Sequence, residues 1–161
     1  MEPSEGQAGV VTISVSTADE ASDILALQQL AYQSEARLYN DWSLPALTQS
    51  LESLVSEYQR AVILSARSDV RIVGSVRAAL TGDTCEIGRL VVHPDFQGRG
   101  IGTTLLKEVE RRFIGCRRYE LFTGSKSAAN IRLYQRNGYE ISGTRTISDS
   151  ASLTYLEKRV S

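Results

Sequence analysis

The chain has 161 residues, of which 42% are apolar and 23% charged, with a net charge of −1. That length and balance suit one globular domain that buries a core without disulfide or metal staples. The near-neutral charge gives no global field for nucleic acid, and apolar runs such as residues 61–64 are far too short to span a bilayer.

Residues 1–9, rich in Gly, Ser, Glu and Pro, read as a disordered tail before a single domain over 10–161. The opening Met1-Glu2-Pro3-Ser4-Glu5-Gly6 has neither the basic start nor the apolar stretch of a secretory leader, so a cytoplasmic chain is expected. Residues 10–15 are β-branched and form a strand. Thr17 or Asp19 can cap a helix carrying Ile24, Leu27, Gln28 and Ala31 on one stripe. Residues 32–44 read as a helix end and a loop, and Pro45 opens a second helix with Leu47, Leu51, Leu54 and Val55 in helical phase. Three strands follow, over 61–66, 70–80 and 85–92, joined by short turns as an antiparallel meander.

Ile101, Leu105, Leu106, Val109 and Phe113 then mark a helix of period 3.6. Residues 119–123 form a strand, and 128–136 a helix closed by Asn137-Gly138. Strands over 139–146 and 152–158 complete the order βααβββαβαββ. The expectation is an α/β (α+β) domain: a mixed central sheet of about seven strands with four helices and a parallel crossover through the Ile101 helix.

Cys85 and Cys116 form no CxxC, and the sole histidine, His93, is followed by Pro94. The thiols read as small core residues and no metal site is expected. A Ser-His-Asp triad would have to use His93, whose place before Pro94-Asp95 reads as a turn. The strongest local signal is Gln97-Gly98-Arg99-Gly100-Ile101-Gly102, between a strand and a helix. Unpaired amides and the positive end of a helix dipole attract anions, and glycines let a phosphate approach the backbone. The G-x-G-x-G spacing fails the dinucleotide fingerprint, and Gly102-Thr103-Thr104 lacks the lysine of an NTPase loop.

This turn resembles the Q/R-x-x-G-x-G/A motif of the GNAT acetyltransferases. The strand ending Leu90-Val91-Val92-His93-Pro94 matches as well. So does Asn130-Ile131-Arg132-Leu133-Tyr134-Gln135-Arg136-Asn137-Gly138-Tyr139, though its Asn-to-Tyr gap is shorter than the family's. The resemblance covers residues 85–139 and implies a GNAT fold with acetyl-CoA as co-substrate and no metal. It implies that Gln97, Gly98, Arg99, Gly100, Ile101, Gly102 and Thr103 hold the pyrophosphate. Leu90, Val91 and Val92 would pair with the pantetheine arm, with the Leu90 amide polarising the thioester carbonyl. Asn130 becomes a cofactor contact and Tyr134 the general acid for the departing thiolate. Glu86 matches the base of some family members; the alternative is a strand-end glutamate that is solvated or paired with Arg77 or Arg89.

The resemblance also places the acceptor between the first helices and the last two strands, near Tyr32, Glu35, Tyr39, Asn40, Asp41 and Trp42 and facing Asp149. Rings and carboxylates there suit a cationic amine, or serve only to pack the first helix. Taken together, the reading is an N-acetyltransferase acting on a small-molecule primary amine by direct attack, since neither cysteine lies in a nucleophile motif. No nucleic-acid or membrane partner is expected, and exposed C-terminal strand edges leave a homodimer open. The alternatives are a protein or peptide N-acetyltransferase and a non-catalytic acyl-CoA-binding module.

Overall fold

A computed structural model describes residues 11–149 and 151–160. The expected tail over 1–9, and Val10 of the expected first strand, lie outside the described residues. Strands β1 (Thr12–Val15), β2 (Val62–Ser68), β3 (Arg71–Thr81), β4 (Thr84–Val92), β5 (Arg118–Gly124), β6 (Glu140–Ser148) and β7 (Ala151–Arg159) form one sheet in the order β1-β2-β3-β4-β5-β7-β6. Every pairing is antiparallel except β4 with β5. The three-strand meander arises as expected, because Ser68 pairs with Arg71 and Thr81 with Thr84 across two-residue turns.

Six α-helical segments occur among the described residues, where four helices are expected: α1 (Ala21–Ala31), α2 (Gln33–Tyr39), α3 (Pro45–Thr48), α4 (Leu51–Glu57), α5 (Ile101–Arg112) and α6 (Ala128–Arg136). The first helical region breaks at Tyr32, and the stretch 32–44, expected as a helix end and a loop, carries the separate helix α2. The second breaks at Gln49, whose backbone is extended, and restarts at Ser50, whose hydroxyl accepts from the Ser53 amide at 3.1 Å. The break changes the helical phase. Leu54 is fully buried, while Leu51 and Val55 face solvent instead of joining one continuous stripe.

The sheet is covered on both faces. Ala21, Ile24 and Leu27 of α1 and Leu54 of α4 pack on Ile63, Ile72 and Val91. On the other face Ile101, Leu105, Leu106 and Val109 of α5 pack on Leu64, Val73, Val76 and Cys85. A leucine such as Leu105, entirely removed from water, contributes roughly 1.5–3 kcal/mol. Residues 72–78 of β3 are buried on both faces, as a central strand between two helical layers requires. Both cysteines are free and buried. No helix among the described residues is long and apolar enough to cross a membrane.

Candidate active site

The site begins where the parallel pair comes apart. β4 and β5 are in register only over Thr84–Arg118, Cys85–Tyr119 and Glu86–Glu120. Beyond Glu86 each strand continues, β4 to Val92 and β5 to Gly124, without pairing to the other. The backbone edge of β4 that faces this opening therefore lacks ladder partners, and a backbone edge of that kind binds an extended chain that offers amides.

A β-bulge lies in the same stretch. Ser75 pairs with Val91 and Arg77 with Gly88, so Arg89 and Leu90 together oppose Val76 alone. Arg89 takes φ 52°, a left-handed conformation that an arginine adopts only when its surroundings impose it. The extra residue inverts the alternation of side chains. Cys85 and Ile87 pack towards α5 and, past the bulge, so do Leu90 and Val92, while Val91 turns to the α1 layer. A regular strand would have put Val91 on the face of Cys85 and Ile87.

The glycine-rich turn follows β4. Gly98 and Gly100 have φ 78° and 83°, values that a side chain resists, and Gly100 is the N-cap of α5. The first bond of α5 is Thr104 N–H to the Gly100 carbonyl at 3.0 Å, which leaves earlier amides for a ligand. A Cβ on Gly102 would lie 3.2 Å from Leu133, so glycine there lets α6 approach the start of α5. Asn137 links the same two helices, donating to Thr103 Oγ1 at 3.2 Å. The guanidinium of Arg99 sits 4.8 Å from the Phe96 ring centre, keeping positive charge beside the exposed turn. Gln97 is oriented by donating to the Val92 carbonyl at 3.3 Å. His93 acts on the turn itself: Nδ1 accepts from the Asp95 amide at 3.0 Å, and Nε2 lies 2.8 Å from Arg71.

Tyr134 is buried on α6 among core residues, 6.2 Å ring to ring from Tyr139. Burial, with Tyr32 and Glu35 nearby, pushes its phenol above the usual tyrosine range, so it stays a neutral donor at physiological pH. Asn130, one turn earlier, donates to Thr123 Oγ1 at 3.3 Å at the open end of β5. The turn after α6 is fixed by Glu110, which accepts from Tyr139 at 2.8 Å and from Lys158 at 2.9 Å.

On the α1 face of the same opening is a cavity of about 400 Å³. Its wall includes Glu57, Arg77, Glu86, Arg89, Phe122 and Tyr155. Glu86 is exposed and accepts from the Thr81 hydroxyl at 3.1 Å; Arg77 pairs instead with Glu57 at 2.8 Å. Arg77 is buried in a network that also takes in Gln28 and Gln49, and burial lowers its pKa. Tyr32 lies beside Arg89; burial raises its phenol and the guanidinium opposes that shift.

Of the other expected acceptor residues, Glu35 accepts from Ser127 at 2.5 Å, and the Tyr39 hydroxyl accepts from the Lys126 amide at 2.7 Å. Both tie α2 to the turn between β5 and α6. Asp41 accepts from the Ser43 amide at 2.9 Å in an exposed turn, and Trp42 is exposed. Tyr32 therefore borders the cavity wall at Arg89, whereas Glu35, Tyr39 and Asp41 are not among the residues lining it. Sequence reasoning passed over Glu57, Phe122 and Tyr155. One signal for Glu57 was available: Arg77, in the middle of an otherwise apolar central strand, requires a partner.

The family and the fold are shared with known proteins. The sequence model of the Acetyltransferase (GNAT) family matches residues 23–139. An acetyltransferase of Pectobacterium atrosepticum is 36% identical over 49% of this chain and 57% of its own length. A UPF0157 protein of Bacillus subtilis is 28% identical over 74% of this chain and 34% of its own length. The chain thus spans about half of one of these curated relatives and about a third of the other. Among solved structures, the PaiA N-acetyltransferase of Thermoplasma acidophilum, in complex with coenzyme A, has a TM-score of 0.79 at 18% identity, covering 94% of this chain and 99% of that one. The ribosomal-protein-S18-alanine N-acetyltransferase of Escherichia coli has a TM-score of 0.76 at 20% identity, covering 94% and 95%. With the family model matched over most of its length, the chain belongs to the GNAT acetyltransferase family.

Proposed function

We propose that the protein is an acetyl-CoA-dependent N-acetyltransferase acting on a primary amine of a small molecule by direct attack. The observation that carries the reading is the separation of β4 from β5 past Glu86 and Glu120, beside the positive-φ turn that opens α5. These residues fit the co-substrate. The amides of residues 98–103 suit a pyrophosphate, and the unpaired edge of β4 suits the amides of a pantetheine arm. The structural neighbour solved with coenzyme A supports the assignment.

Acetyl-CoA supplies an activated acetyl thioester. The Leu90 amide, in the bulge and outside the β3 register, donates to the carbonyl oxygen as negative charge develops there. Glu86, directly or through a water it orients, takes the proton an ammonium must lose before it attacks. As the C–N bond forms and the C–S bond breaks, the second amine proton ends on the thiol, and Tyr134 donates a hydrogen bond where sulfur gains charge. Asn130 helps to hold the co-substrate at the end of β5.

A cavity of about 400 Å³ is of the size that takes a small molecule and supports that acceptor class. A peptide amine is the second reading, favoured by the ribosomal-protein-alanine N-acetyltransferases of Escherichia coli and Brucella melitensis among the structural neighbours. The fully exposed edge strand β6 supports a homodimer. The test is Tyr134→Phe. Turnover should fall about 100-fold or more while acetyl-CoA affinity changes little. Unchanged turnover would remove Tyr134 from the mechanism.

A further inference from the structure

The charges around the cavity do not cancel locally, and the imbalance has a direction. Arg77 is matched by Glu57 at 2.8 Å, and Glu120 lies 3.8 Å from Arg118. Among the described residues no ion pair within 4.0 Å involves Arg89 or Glu86. Arg89 Nε is moreover buried without a hydrogen-bond partner. The Arg89 guanidinium meets the neutral Tyr32 phenol and lies near the Arg77 guanidinium, so its charge is left for a bound anion to balance.

Between the two unmatched charges the floor of the cavity is Gly88, opposite Arg77 in the ladder. A Cβ built on Gly88 meets nothing within 4 Å, so there is open space above it, flanked by a carboxylate at Glu86 and a guanidinium at Arg89. Phe122 and Tyr155, with ring centres 5.3 Å apart, give the same cavity an apolar border.

We infer that the acceptor is an amino acid: an amine carrying its own carboxylate a few bonds away, with the carboxylate on Arg89 and the amine turned towards Glu86 and the strand opening. This rests on the acetyltransferase reading and narrows its acceptor. Arg89, the guanidinium of the wall without a carboxylate partner among the described residues, repels an ammonium placed beside it, which sets that end of the site against a second amine. The apolar border takes the side chain.

The test uses the full chain and measures thiol release from acetyl-CoA with each proteinogenic amino acid, its carboxamide, and spermidine. The best amino acid should exceed its carboxamide by about 30-fold in kcat/KM, the scale of a lost buried charge contact. Arg89→Gln should bring acid and carboxamide to within about twofold of each other through KM, and Arg89→Lys should restore part of the gap. Thermal melts of both variants show whether they fold. Carboxamides or spermidine turned over as well as the acids would overturn the inference. So would acetyl-CoA binding, seen by calorimetry, with no free amino acid accelerating thiol release. Absence of acetyl-CoA binding would instead overturn the acetyltransferase reading beneath it.

Discussion

Replacing Glu57 with alanine removes the one carboxylate paired with Arg77 among the described residues and leaves a charge buried in the wall of the site. The Arg77 side chain is 7% exposed and that of Glu57 22%. Nη1 meets Glu57 at 2.8 Å and Gln49 at 3.4 Å, Nη2 meets Gln28, and Nε has no partner. Two unit charges 2.8 Å apart attract by about 6 kcal/mol at an effective dielectric of ~20. The cost of desolvating Arg77 remains when Glu57 is gone, and partial exposure of Glu57 puts the net loss at the low end for a broken buried pair, about 3 kcal/mol. For a chain of this size that lowers Tm by roughly 6–12 °C. Calorimetry and urea unfolding at neutral pH measure it. Glu57→Gln should lose less, because an acceptor remains, and the Arg77→Met/Glu57→Leu double variant should recover most of the loss. A Glu57→Ala protein melting within about 2 °C of the parent would refute the view that this pair supports the cavity wall.

Alkali should unfold the protein through its buried acids. Burial, with Cys116 and Glu110 close by, pushes the Cys85 thiol up to about 12, and burial raises Tyr119, Tyr134 and Tyr139 as well. The unfolded chain ionises these groups first, so stability is fully present below a pH of about 8.5 and falls as pH rises from there towards the folded values. Urea midpoints that stay level up to pH ~11 would contradict this. Gly100→Ala forces a side chain into φ 83°, which should cost about 1–2 kcal/mol and weaken acetyl-CoA binding; unaltered affinity in calorimetry would take the turn out of the binding site.

The elements that carry their own local signal were legible in the sequence. The apolar period of α5, the Asn137-Gly138 stop of α6 and the short turns of the meander are decided by nearby residues, and the structure has each of them, the turns tightened to two residues. The helix break at Gln49 was not legible. Leu47, Leu51, Leu54 and Val55 fit one continuous period, and what breaks it is distant: Gln49 turns inward to Gln28, Arg77 and Glu57. The bulge at Arg89–Leu90 is marked only by Gly88 just before it, whose own φ is ordinary, and Leu90-Val91-Val92 reads as a plain apolar run whichever way it faces. On the acceptor side, residue chemistry suggested a cation site at Glu35 and Tyr39. Their partners, Ser127 and Lys126, are some ninety positions away and visible only once the chain is folded.

The central claim is that the turn opening α5 and the gap between β4 and β5 form a coenzyme A site. Calorimetric titration of the purified protein with acetyl-CoA, beside dephospho-CoA and NAD, tests it most directly. The account predicts saturable acetyl-CoA binding in the micromolar range and none of NAD. Failure of every CoA species to bind would contradict it, leaving the family's fold without the family's chemistry.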